Sequence, residues 1–108
     1  VPATTNATTN DADSLVMTFS EALYVGGVAL ADNANVAARF TAAGGVLAIT
    51  TAVYDADTKT VTFVLAGAAN TNTITVDAGE LTDAAGNDIA AASDVATYAA
   101  AGTIWSVN

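Results

Sequence analysis

Short apolar runs that alternate residue by residue, cut at intervals by turn-forming residues, constrain this chain more than anything else in it. Leu15, Met17 and Phe19 alternate with Val16, Thr18 and Ser20. A period of two sends the first set to one face of a strand and the second to the other, so one face is buried and one is open. The pattern returns further on. Leu47, Ile49 and Val53 share one parity and Val61, Phe63 and Leu65 share another. Between them Asp55-Ala56-Asp57-Thr58 is rich in residues that cap their own backbone, so the two runs read as a hairpin. Ile74 and Val76, with Thr73, Thr75 and Asp77 facing outward, supply a further strand.

In chain order, strands are expected over residues 3–9, 14–20, 36–41, 46–54, 60–65, 72–77 and 94–99, and Ile104 to Val107 closes the domain or begins a link to another. Gly26-Gly27 breaks the stretch from Glu21 to Asn35, which reads as a long loop holding a helical turn or a short strand near Val28 to Leu30. Ala is the best helix former, yet Gly86 and Gly102 bracket the Ala-rich part from Ile89 to Ala101 and Thr97-Tyr98 interrupt it, so it is read as strand. About seven short strands with regular turn signals point to an all-β Greek-key sandwich. A chain of 108 residues holds one core and one domain, 1–108, with 1–3 and 103–108 read as linkers or exchanged strands.

Composition narrows the chemistry. The chain has no Cys and no His, which removes zinc sites, thiol catalysis, imidazole acid-base work and the Ser-His-Asp triad together. Only Arg39 and Lys59 oppose eleven acids, for a net charge of −9. Nucleic acid and anionic membrane both need clustered bases to replace counterions, so neither is an expected partner. No apolar run approaches the length of a membrane span, and the first residues, Val1-Pro2-Ala3-Thr4-Thr5, lack a basic start and an apolar core. A leader already removed, or a segment cut from a longer chain, is the expectation.

Divalent cations suit such a balance. Residues 80 to 88, Glu80-Leu81-Thr82-Asp83-Ala84-Ala85-Gly86-Asn87-Asp88, gather oxygen-bearing side chains around a turn-making Gly. In a sandwich whose strands alternate in direction, the loops after the second, fourth and sixth strands return to one end. Those loops carry Glu21, Asp32, Asp55, Asp57, Glu80, Asp83 and Asp88, whose mutual repulsion a cation would relieve. Six to eight oxygen ligands without imidazole favour Ca²⁺ over transition metals. The ligands expected are Glu21, Asp83, Asn87 and Asp88, with Asp55 or Asp57, and the cofactor expected is calcium. The competing local reading is a solvated turn in which Asp83 caps backbone donors and Gly86 takes a positive φ.

At Met17-Thr18-Phe19-Ser20-Glu21-Ala22-Leu23, Tyr54-Asp55-Ala56-Asp57-Thr58-Lys59-Thr60-Val61 and Leu81-Thr82-Asp83-Ala84-Ala85-Gly86-Asn87, the chain resembles the bacterial Ig-like domains found in tandem in S-layer proteins and large adhesins. The resemblance implies an Ig-like β-sandwich, an extracellular place at the cell surface, a structural or adhesive role without catalysis, and calcium near domain junctions, with Glu21, Asp83 and Asn87 at matching motif positions. Neighbouring domains or identical subunits of a surface polymer are then the partners.

Three rivals accompany that reading. A terminal segment, Val1 to Asn10 or Thr103 to Asn108, could complete a neighbour's sheet and build a filament or S-layer by strand addition. Trp105 with Tyr24, Tyr54 and Tyr98 could form a sugar-stacking platform, although packing explains scattered aromatics more simply. Glycoside hydrolysis by paired carboxylates ranks last, because it needs a cleft that a domain of this size hardly provides. Lys59, at a turn among acids, reads as a surface ion pair rather than an isopeptide donor.

Overall fold

The computed structural model describes residues 4–6, 8–9, 13–43, 47–67, 73–77, 80–89, 95–99 and 104–107. The opening strand is split in two: β1 (Thr4–Asn6) joins one sheet and β2 (Thr8–Thr9) the other. Then come β3 (Ser14–Phe19), the small hairpin β4 (Tyr24–Val25) and β5 (Val28–Ala29), a 3₁₀ turn (Ala37–Arg39), β6 (Phe40–Ala43), β7 (Ala48–Asp55) and β8 (Thr60–Ala66). β9 (Thr73–Val76), β10 (Val95–Ala99) and β11 (Ile104–Val107) complete the order. One sheet runs β1-β3-β8-β7 and the other β2-β11-β10-β9-β6, with antiparallel neighbours throughout.

The alternation read from sequence packs the space between the sheets. Leu15, Met17 and Phe19 from β3, Val61, Phe63 and Leu65 from β8, and Ile74 from β9 are all buried. Phe40 of β6 and Phe63 of β8 meet edge to face across the gap, with centroids 4.8 Å apart at 87°. That geometry sets a ring's positive edge on its neighbour's negative face and adds to plain burial.

Two expected features are corrected. Val53 does not share the core face with Leu47 and Ile49, because a β-bulge between Ile49 and Thr51 adds a residue to β7 and reverses its parity; Ala52 and Tyr54 face inward instead. The strand expected over 36–41 is a 3₁₀ turn followed by β6, and Val36 still anchors it in the core. Of the Ala-rich part, residues 95–99 are strand, while 90–94 lie outside the described residues.

Gly26 and Gly27, at φ +58° and +83°, make the tight turn of the β4-β5 hairpin. That hairpin was not counted among the expected strands. It adds two strands, an even number, so every later strand keeps its expected direction and the acidic loops still return to one end.

Candidate functional site

The loop after β9 is built around Asp83. Its neck is fixed first: Tyr24 and Thr82 exchange backbone hydrogen bonds of 2.8 and 2.9 Å, and Thr82 also bridges to Asp88. Leu81 on one side and Ile89 on the other are buried and hold the loop's ends in the core. Between them Asp83 Oδ1 accepts the backbone N–H groups of Ala85 and Asn87, both at 2.9 Å, and Oδ2 accepts the Asn87 side-chain amide at 3.0 Å. The main chain closes the same ring, since Asp83 N–H donates to Asn87 O at 2.9 Å and Gly86 N–H to Asp83 O at 3.1 Å. Gly86 sits at φ +88°, a conformation that a Cβ resists.

Asp83 is 6% exposed, the one charged side chain found buried among the described residues. Hydrogen bonds from the Asn87 side chain and from the Asn87 and Ala85 backbone hold its carboxyl below the usual carboxylate range, and burial opposes them. A general acid or base working near neutral pH needs the opposite displacement.

The other expected ligands reach the same end of the sandwich by different routes. Phe19 N–H donates to Lys59 O at 2.8 Å, which ties the end of β3, just before Glu21, to the β7-β8 turn. In that turn Asp55 Oδ1 accepts the N–H groups of Asp57 at 2.9 Å and Thr58 at 3.2 Å, while Asp57 is exposed. Asp88 Oδ1 accepts Ile89 N–H at 2.9 Å.

Sharing an end is not the same as sharing a site. Among the described residues no three or more Asp, Glu, His or Cys side chains are grouped so as to hold a metal ion. Donors occupy the space where Asp83 would meet a cation, and the Asn87 amide turns its N–H toward Asp83. As arranged, this pair does not fit a calcium ligand set, which needs oxygens converging on one point.

Sequence reading missed three ties that hold this end together. Asp32 Oδ1 accepts Ala56 N–H at 3.0 Å, across 24 residues. Asn35 Oδ1 accepts Ala37 N–H at 3.1 Å and Ala52 N–H at 3.2 Å, so one amide joins the start of the 3₁₀ turn to the β7 edge. Arg39 pairs with Glu80 at the start of the acidic loop. None of these has a local signature beyond a polar residue in a loop.

The strand order decides the family. Leaving out β2 and the β4-β5 hairpin, β1-β3-β8-β7 faces β6-β9-β10, which in chain order is A-B-E-D against C-F-G of an immunoglobulin sandwich. The sequence matches the bacterial Ig-like domain family over residues 1–101. The chain belongs to that family. Comparison with curated proteins and with solved structures yields no match. The family match stops just after β10, so β11 is a strand beyond the matched Ig-like span.

β11 changes where the Ig-like chain leaves. Thr4 pairs with Phe19 at the end that carries the Asp83 loop, and the seventh strand of the Ig-like set, β10, finishes at the opposite end. β11 runs back alongside it, Ala99 against Ile104 and Ala96 against Val107, and returns the chain to the end it entered by.

Tyr54 packs in the core, as the simpler reading of the scattered aromatics has it. Tyr54 is 1% exposed, and its hydroxyl accepts Leu23 N–H at 3.2 Å within the core. The side chains of Tyr98 and Trp105 lie outside the described residues. Lys59 is exposed, without the burial that isopeptide chemistry requires. No helix among the described residues is long and apolar enough to cross a membrane.

Proposed function

We propose that this Ig-like domain is a non-catalytic structural or adhesive module of a bacterial surface protein, whose acidic end is stiffened by the Asp83 loop itself. The family supports the surface role. The observation that carries the rest is Asp83, a buried carboxylate engaged by its own loop instead of being offered to a substrate or a cation. A rigid end of this kind fixes the angle between the module and whatever adjoins it, which is what a spacer or adhesive array requires.

Two measurements test the reading. Surface labelling of intact cells with an antibody to the folded domain is expected to be positive, and labelling only after lysis would overturn the location. Titration with Ca²⁺, joined to melting with and without chelator, is expected to leave the midpoint unchanged. A midpoint that rises with Ca²⁺ would show that Glu21, Asp55, Asp57 and Asp88 close on an ion in solution, and would replace loop stiffening by metal stiffening.

A further inference from the structure

Charge is confined to the middle of this chain. Every Asp, Glu, Lys and Arg lies between Asp11 and Asp94, so residues 1–10 and 95–108 carry none of the net −9. The fold sets strands from those two uncharged stretches side by side. β2 pairs with β11 through Thr8↔Ser106 and Thr9↔Trp105, and β11 pairs with β10 over four residues from Ala96↔Val107 to Ala99↔Ile104.

Sheets commonly guard an edge with Lys, inward-pointing charge or Pro, because an open backbone ladder accepts any strand; β2 is the edge of its sheet, and withdrawal of β11 would open β10 as a second. β2, β10 and β11 contain none of these. Elsewhere two copies meet as bodies of charge −9 and repel one another; along these strands that repulsion is weakest. The strand that fills the position is also the one beyond the Ig-like span matched by the family. Its two chain-level neighbours are unequal, with a short hairpin to β10 and a pairing of two residues to β2.

We infer that β11 is exchanged between copies: residues 104–107 of one chain enter the position between β10 and β2 of a second, in the register seen within one chain. The partner is a second copy, held mainly by backbone hydrogen bonds as in other strand additions. Because β10 finishes and β11 begins at the end opposite the Asp83 loop, the chain crosses from one copy to the next at that opposite end. The inference goes beyond the surface-module reading and fails separately from it, since a monomeric domain can still be displayed on a cell.

The chain has no Cys, so a disulfide can report the pairing. Directly opposed residues of antiparallel strands have Cα atoms about 4.5–5.5 Å apart, within disulfide range. Full-length Thr8→Cys and Ser106→Cys variants are mixed, refolded together and oxidised over a range of protein and salt concentrations. A covalent dimer of one variant with the other is expected, with a yield that rises as salt screens the bodies. A Thr62→Cys and Ser106→Cys mixture is expected to stay monomeric, and equal linking there would overturn the inference by showing random contact. Mixtures that stay monomeric under all conditions, while the double Thr8→Cys/Ser106→Cys chain closes only on itself, would overturn it as well. Light scattering of the unmodified chain supplies a measurement free of folding artefacts from substitution: mass should at least double as protein and salt rise, and a constant monomer mass counts against exchange.

Discussion

Two acidic turns at one end of this domain use the same local device and differ in what it is attached to. In the β7-β8 turn, Asp55 accepts the N–H groups of Asp57 and Thr58; in the loop after β9, Asp83 accepts those of Ala85 and Asn87. Both are side chains standing in for a backbone turn. The first connects two strands that are already paired up to Asp55↔Thr60, so the ladder holds the turn whether or not Asp55 assists. The second spans from Leu81 to Ile89 without a ladder of its own, and Asp83 is buried beneath it. A hydrogen bond exposed to water trades against water, whereas a buried acceptor removed leaves its donors with nothing.

Replacing the two carboxylates should therefore give unequal results. Asp83→Ala is expected to lower the melting temperature by roughly 10 °C or more, and Asp55→Ala by only about 3 °C, measured by circular dichroism. Equal losses would mean that burial does not separate the two turns.

Acid should act through the second turn, that of Asp83. The folded Asp83 carboxyl lies below its unfolded value, so its stabilisation is complete above about pH 4 and is lost as pH falls from there toward the folded value. Denaturant midpoints taken between about pH 5 and 2 should fall in the parent and fall less in Asp83→Asn. Identical slopes in the two proteins would assign acid lability to other carboxylates.

Backbone substitutions sharpen the contrast at smaller scale and with opposite signs. Gly86 and Lys59 both hold positive φ, +88° and +56°. Gly86→Ala adds a Cβ where the backbone disfavours one and should cost about 1 kcal/mol, although nothing lies within 4 Å to clash with it. Lys59→Gly relieves the same kind of strain in the other turn and should gain a few tenths, about 0.5 kcal/mol. Urea unfolding resolves both. The smallest effect expected is that of calcium on the melting midpoint, under about 1 °C, because the oxygens of Asp83 already face donors.

Much of this molecule was legible because its signals are local. The period of two in β3 and β8, the Asp-rich turn between β7 and β8, and the Asp83 to Gly86 turn each follow from neighbours a few residues apart. Parity even carried the acidic loops to one end, and the uncounted β4-β5 hairpin spared that result only by adding two strands. What the residues of the loop face was a different matter. A row of oxygen-bearing side chains suits a cation and suits backbone donors equally well, and only packing chooses.

Sequence by itself determined an all-β chain, its main strands, its acidic end and the uncharged stretches on either side, since alternation, turn chemistry and charge are written residue by residue. Tertiary structure alone decided the bulge that turns Ala52 and Tyr54 inward, the burial of Asp83 and the return of the chain through β11. Each of those depends on pairing or packing between residues far apart in the chain, where the gain comes from a surface that exists only once both partners are in place.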